Sequence, residues 1–431
     1  METDRLYELY RSSAGITTDS RSVRNGEIFF ALRGPNHDGN LHATAAVAAG
    51  ALAAVVDDPS LSGEKLVLVN DVLEALTSLA AFRRRRLTVP VIAITGTNGK
   101  TTTKELITSV LARKALVHST AGNLNNHIGV PLTLLSAPDD AGFLVVEMGA
   151  SHMGEIGALC ETAMPTHGII TNIGTAHIEG FGSYENVRSA KSELYKWLGR
   201  IGGTVIYNDD NTVLTDLLAP GSRTVPYSLP AGYPLKIVQE ENKESLYLHV
   251  RASFKDRDYL IATALFGAYN IDNVRAAMAT GIVFDVPLSE IIDAISSYRP
   301  ANNRSQVVDT GRNLVIRDAY NANPSSVEKA LASFAELRAE KKMVILGDML
   351  ELGTESYSGH ASVISQLRSL GAEVVALVGP CFRKAAGDLP AQLFSSPEEA
   401  GEWLRSFKPE GYTILVKGSR GMMLEKLYPL L

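Results

Sequence analysis

Two hydropathy patterns alternate along the whole chain. Short apolar runs end in glycine, asparagine or aspartate, and between them apolar residues recur every three or four positions. The first pattern predicts buried strands and the second amphipathic helices. In residues 1–86, EIFFALRG (27–34) and AAVVDD (53–58) read as strands. The longest apolar run, 43–56, is rich in Ala and Gly and shorter than the roughly 18 residues of a membrane span. It reads as a helix followed by a strand. Leu73, Leu76, Leu79 and Phe82 fall on one face of a helix over 72–86. The run Arg83 to Arg86 reads as its solvated end, before a linker.

Residues 87–300 form a larger α/β unit. Strands are predicted at 91–95, 143–149 and 168–174, and Leu106, Ile107, Val110 and Leu111 make the stripe of a helix after the first of them. SLYLHVRASF and DYLIATALF, separated by KDR, read as an antiparallel hairpin on that core. Over 301–431 four strands (LVIRDAY, MVILGDM, VVALVG and TILVKGS) alternate with amphipathic helices such as 325–338. That is a doubly wound sheet. Ligands in such sheets sit at the carboxyl ends of the strands, where Asp318, Asp348 and Lys417 lie. The fold class is therefore α/β, with mostly parallel sheets in three domains: 1–86, 87–300 and 301–431.

Composition narrows the partners. With 45% hydrophobic and 20% charged residues, the 431-residue chain has the make-up of a globular protein with more than one core. A net charge of −6 argues against nucleic acid as the main partner. Cys160 and Cys381 are the only cysteines, which suits a reducing compartment and leaves no zinc or disulfide framework. METDRLYELY has no apolar core of a secretory signal, so a cytoplasmic protein without membrane insertion is expected.

The chemistry concentrates in VIAITGTNGKTTTKE, 91–105. A strand, a glycine-rich turn and a helix start follow one another. Gly96 and Gly99 permit a tight backbone whose N–H groups converge on an anion, and the helix N-terminus adds its own. Lys100 can neutralise phosphate charge, and the Thr101 hydroxyl can sit on a phosphate-bound Mg²⁺. The spacing G-x-x-G-K-T is shorter than the usual G-x-x-x-x-G-K-T; Ile94 stands where the first glycine would fall.

Other candidates are weaker alone. Glu147 ends a strand where a carboxylate faces the phosphate loop and holds Mg²⁺, or merely caps a turn. His177, past the next strand, can ligate a metal or move a proton, or is a plain loop residue. Lys191, in SAKSELYKWL, reads by itself as a solvated helix lysine. STAGNLNNHIGVP (119–131) binds a polar ligand or makes plain turns. Asn270 and Asn273, one turn apart, read an adenine edge or cap a helix.

Taken together, GTNGKTTTKE, AGNLNNHIGVP, EMGASHMGEI, TNIGTAHIEGFGS, YNIDN, RDAYNANPSS, GDMLELG and LVKGSR resemble the Mur ligases over nearly the whole chain. AGNLNN with DAYNANP resembles the branch that adds D-alanyl-D-alanine, whereas the short loop is shared with folylpolyglutamate ligases. The resemblance implies an N-terminal domain for the UDP end of the substrate, a central ATPase domain and a Rossmann-like domain that brings in the amino compound. It implies two substrates besides ATP, a UDP-N-acetylmuramoyl-tripeptide (UDP-MurNAc-tripeptide) and D-Ala-D-Ala, and a monomer. Ser20 and Arg21 would lie near the uridine nucleotide, with Asn123, Asn125 and Asn126 lining the UDP-sugar site. Gly96, Thr97, Asn98, Gly99, Lys100, Thr101 and Thr102 would hold the ATP phosphates, and Thr101, Glu147, His177 and Lys191 two Mg²⁺ ions. Lys191 matches the family lysine that is carbamylated, which displaces the solvated reading; Lys100, Lys191 and His177 are the catalytic candidates. Asn270 and Asn273 would contact adenine, and Arg304 and Asp318 the phosphates and ribose. Asn321, Asn323, Lys417, Ser419 and Arg420 would shape the dipeptide site. The implied reaction is ATP-dependent amide formation through an acyl phosphate. Its rivals are a neighbouring Mur-type or folylpolyglutamate-type ligase, and a nucleotide-gated switch, for which the sequence offers no effector region.

Overall fold

The computed structural model describes residues 3–174, 178–228, 235–240, 242, 245–254 and 257–431. The N-terminal sheet has four parallel strands in the order Gly15–Thr17, Glu27–Phe30, Ala53–Val56, Leu66–Leu68. The strand predicted over 27–34 stops at Phe30. Leu32 N–H donates to the Phe30 carbonyl, a three-residue turn that ends the extended run. Arg33–Gly34 then pairs with His37–Asp38 in a separate two-stranded ribbon.

The helix Val72–Arg86 forms as predicted, with the Asp71 carboxylate capping its first turn by accepting from Glu74 N–H. Its basic end corrects the sequence reading. Arg85 and Arg86 are exposed, but Arg83 and Arg84 are each 7% exposed. Arg84 donates to the carbonyls of Ala163 (2.8 Å), Met164 (3.1 Å) and Leu87. The first two belong to the C-terminal end of the helix Glu155–Ala163, where backbone carbonyls lack intrahelical partners. Arg83 donates to the Ala137 carbonyl at 3.0 Å and pairs with Asp139. The run therefore ties this helix to the central domain. Arg84→Met, which keeps the bulk and removes the donors, should lower unfolding stability by about 2–3 kcal/mol; urea denaturation of the full chain checks this.

The central sheet has six parallel strands in the order Arg223–Pro226, Thr204–Tyr207, His167–Ile170, Val91–Thr95, Phe143–Glu147, Val117–Ser119. Val91–Thr95 sits between the other two predicted strands, so the carboxyl ends of all three face one crevice. Ile92, Ile94, Leu106, Ile107 and Val110 are fully buried on one side of the sheet. Val91, Ala93, Val130 and Leu144 join a core on the other side that continues into Leu76 and Leu79 of the N-terminal helix.

The expected hairpin is present as Tyr247–Phe254 and Arg257–Phe266, with a third antiparallel strand, Leu235–Glu240, beside it. Lys255 and Asp256 of its turn lie outside the described residues. The last sheet holds the four predicted strands in its middle, in the order Leu314–Asp318, Thr413–Lys417, Lys342–Gly347, Val374–Val378. Two short edge strands, Gln306–Asp309 (antiparallel) and Gln392–Phe394, complete it. Among the described residues no helix is long and apolar enough to cross a membrane.

Candidate active site between the central and C-terminal domains

The strand Val91–Thr95 is wholly buried, and the chain leaves it through the glycine turn. Gly96 has φ 143° and packs so closely that a Cβ there would lie 2.0 Å from the Thr171 hydroxyl oxygen. Gly99, at φ 79°, is the N-cap of the helix Lys100–Leu111 and would place a Cβ 2.6 Å from Asn273 Oδ1. Both positions demand glycine for conformation and for space. The Lys100 ammonium folds back over the loop and donates to the carbonyls of Gly96 (2.7 Å) and Thr97 (3.1 Å). Burial lowers its pKa, opposed by the nearby Glu147 charge.

Glu147 is 1% exposed and fully engaged. Its Oε2 accepts from the Thr101 hydroxyl at 2.8 Å and its Oε1 from Asn125 Nδ2 at 2.8 Å. Its own N–H donates to the Thr120 hydroxyl oxygen. One carboxylate thus joins the phosphate loop to the asparagine-rich loop, which a turn cap would not do. A hydroxyl and a carboxylate side by side are hard oxygen donors, the set that suits Mg²⁺. Lys191 is also buried, at 3% exposure, on the helix Tyr184–Ile201. Among the described residues it forms no ion pair; the Phe181 ring lies 5.8 Å from its Nζ. Burial first, and the Lys100 charge second, depress its pKa to about 7. Its burial excludes the solvated reading, which the resemblance had already displaced. His177 lies outside the described residues.

A cavity of about 500 Å³ opens above the loop. Thr97 to Thr102, Asn123, Asn125, Asn126 and Glu147 line its central-domain wall, and Arg304, Asp318, Asn321, Asn323 and Lys417 its C-terminal wall. The Arg304 guanidinium stacks 3.5 Å from the Tyr320 ring centroid. Asp318 accepts from Lys417 Nζ at 2.7 Å and from Ser305 N–H at 2.9 Å. Lys417 also donates to the Asn321 carbonyl. Asn270 and Asn273 line the cavity too, but their amides are taken up by protein. Asn273 Nδ2 donates to Asn270 Oδ1, Asn273 Oδ1 accepts from the Thr103 hydroxyl, and Asn270 Nδ2 donates to the Phe266 carbonyl.

Six of the described candidates lie off the cavity lining: Gly96 and Lys191, and also Ser20, Arg21, Ser419 and Arg420. Ser20 and Arg21 belong to the N-terminal domain, where exposed Arg21 forks onto Asp19 at 2.8–2.9 Å. Ser419 is buried, accepting from Leu350 N–H at 2.8 Å. Arg420 is exposed, its guanidinium 5.4 Å from the Tyr320 ring. Asp348 also leaves the ligand role its strand end suggested. It is buried and accepts from Cys381 and Phe382 N–H at 2.8 Å each, capping the helix Pro380–Ala385. Asp348, His360 and Cys381 cluster closely, but His360 Nε2 already accepts from Met349 N–H.

Sequence reasoning missed Thr171 and Asn172, which clamp the loop. Asn172 Oδ1 accepts from Asn98 N–H at 3.0 Å, and the Thr171 hydroxyl donates to the Asn98 carbonyl at 2.6 Å. The available signal was their position, two polar residues directly after the strand His167–Ile170. Tyr269, Ser305 and Lys329 also line the cavity without having been singled out.

Three family models match consecutive stretches: "Mur ligase family, catalytic domain" over 13–93, "Mur ligase middle domain" over 94–281, and "Mur ligase, glutamate ligase domain" over 303–420. The UDP-N-acetylmuramoyl-tripeptide–D-alanyl-D-alanine ligase of Bacillus subtilis is 33% identical over 426 residues, covering 96% of this chain and 92% of its own. The Escherichia coli enzyme of the same name is 31% identical, covering 96% and 92%. A crystal structure of MurF from Acinetobacter baumannii superposes with a TM-score of 0.87 at 29% identity, covering 99% of this chain and 97% of that one. The three models together span nearly the whole chain and the relatives cover it end to end, so the chain belongs to the Mur ligase family.

Proposed function

We propose that the protein joins D-alanyl-D-alanine to a UDP-N-acetylmuramoyl-tripeptide at the expense of ATP, a step of peptidoglycan synthesis. The observation that carries this reading is the two-walled cavity, which sets the phosphate loop of one domain against the cationic Arg304 and Lys417 of another. The relatives that cover the chain bear the name of that reaction.

The chemistry follows from charge and order of events. A carboxylate oxygen of the tripeptide attacks the γ-phosphorus, and the bond from that phosphorus to the β-bridging oxygen breaks, releasing ADP. Both reactants are anions, so cationic groups must lie between them; Lys100 and the N-terminus of the helix Lys100–Leu111 would be those groups. Thr101 and Glu147 would hold Mg²⁺, which when bound neutralises phosphate charge. The dipeptide amine then attacks the acyl carbon, phosphate leaves, and the nitrogen loses a proton. Water competes for the same carbon, which is a reason for the C-terminal domain to close the cavity. ATP as co-substrate and two free cysteines fit a cytoplasmic enzyme. We take a monomer as the working unit.

In an assay with ATP, Mg²⁺ and the UDP-tripeptide, phosphate release should require D-alanyl-D-alanine and fall to background with glutamate or diaminopimelate instead. Release with glutamate, or independent of any acceptor, would replace this reading with a neighbouring ligase or a plain nucleotidase.

A further inference from the structure

Among the described residues, Asn98 is the one in the phosphate loop whose hydrogen bonds reach two domains. Its backbone belongs to the central domain: N–H donates to Asn172 Oδ1 at 3.0 Å, and the carbonyl accepts from the Thr171 hydroxyl at 2.6 Å and Asn172 Nδ2 at 3.0 Å. Its side chain belongs to the C-terminal domain. Nδ2 donates to the Ser325 hydroxyl oxygen at 3.0 Å, and Oδ1 accepts from Asn323 Nδ2 at 2.8 Å.

The partner residues are equally committed. Asn323 is the N-cap of the helix Pro324–Glu336, with Oδ1 accepting from Ser326 N–H at 2.9 Å and from the Ser325 hydroxyl at 2.9 Å. Capping therefore uses its oxygen and leaves its Nδ2 free to cross the gap. The three side chains close a ring in which each hydrogen bond fixes the direction of the next. Asn98 gives to Ser325, Ser325 gives to Asn323, and Asn323 gives to Asn98. Reversing either amide would set donor against donor and acceptor against acceptor, so the network itself orients both.

We propose that Asn98, Asn323 and Ser325 are positioning residues, an interdomain latch through which docking of the C-terminal domain orders the phosphate loop. On this view Asn323 acts on the nucleotide through Asn98 and not on the incoming dipeptide. The inference rests on the nucleotide reading of the loop. A nucleotide that touches both walls binds the docked form. Its apparent affinity falls with the docked fraction, so breaking the latch weakens nucleotide binding.

The test is calorimetric titration of the full chain with Mg·ADP, alongside steady-state kinetics. Asn323→Ser keeps an N-cap residue and the helix but is too short to reach Asn98. Ser325→Ala removes the bond from Asn98 Nδ2 and one of the two bonds to the cap oxygen, and leaves the bond from Ser326 N–H that makes the cap. Asn98→Ala removes both interdomain bonds. Asn323→Ser and Asn98→Ala should each weaken Mg·ADP about tenfold, the scale of one or two neutral hydrogen bonds. The double variant should be no weaker than Asn98→Ala alone, because the two act as one unit. Independent roles predict that the losses multiply to about a hundredfold, which would overturn the latch. So would an Asn323→Ser enzyme with unchanged ADP affinity and only a raised KM for the dipeptide. The ADP titration needs no ligase substrate, so failure of the ligase assay and failure of the latch are separate results.

Discussion

Lys100→Ala should reduce turnover by about a thousandfold, the scale on which removal of a charge-stabilising group from a transition state is felt. Affinity for the UDP-tripeptide should change by no more than about threefold, under half the energy of one tenfold step. The asymmetry follows from position. The ammonium lies on the carbonyls of Gly96 and Thr97, inside the turn where phosphate oxygens would meet the helix start. Burial pulls its pKa down, and an arriving triphosphate, as an opposite charge, pushes it back up. Lys100→Arg should not rescue, because a planar fork cannot fold back into so short a turn. Single-turnover phosphate release separates this from slow product loss, and calorimetry with the UDP-tripeptide alone measures the retained binding. Equal loss of turnover and of UDP-tripeptide binding would show that the loop also carries the sugar nucleotide, and the division between domains would fail.

The legible parts of this protein were those fixed by local physics. Strand Val91–Thr95, the two glycines and helix Lys100–Leu111 follow from a five-residue apolar run and a conformation only glycine accepts. Helix Val72–Arg86 followed from its apolar spacing and the four middle strands of the last sheet from their apolar runs, since buried elements leave periodic marks. What stayed hidden was set by neighbours distant in sequence. Arg83 and Arg84 read as a solvated end because the carbonyls they serve, of Ala137, Ala163 and Met164, lie more than 50 residues on. Lys191 read as solvated because its burial comes from elements that pack around its helix, which its own heptad does not announce. The short edge strands Gln306–Asp309 and Gln392–Phe394 carry too few apolar residues to signal themselves. The bond between Asn98 and Asn323 was not legible, since nothing in the sequence says that residues 225 positions apart bond to one another.

Lys191→Ala should lose about a hundredfold or more in turnover, and formate or acetate should return part of it. The lysine sits in an electrostatic conflict. A buried ammonium without an ion-pair partner among the described residues, facing the Lys100 charge, is disfavoured, and its pKa falls from 10.5 to about 7. The sign of the stability effect follows. An unfolded lysine holds its proton up to 10.5 and the folded one only to about 7, so the unfolded state binds more protons between them. This group therefore destabilises the fold in full below pH 7, and the penalty fades as pH rises towards 10.5. Above pH 7 the amine is neutral and can add to CO₂, its nitrogen bonding to carbon while its proton is released. The product is an anion, which turns repulsion from Lys100 into attraction. It would also offer oxygen donors, where an ammonium offers none. Enzyme depleted of CO₂ should thus regain activity with bicarbonate at pH 8 and much less at pH 6. Short carboxylates should rescue the alanine variant because they would supply the same charge in the space the side chain leaves. Normal activity in Lys191→Ala, without rescue and without any response to bicarbonate in the parent enzyme, would return this lysine to a purely structural role.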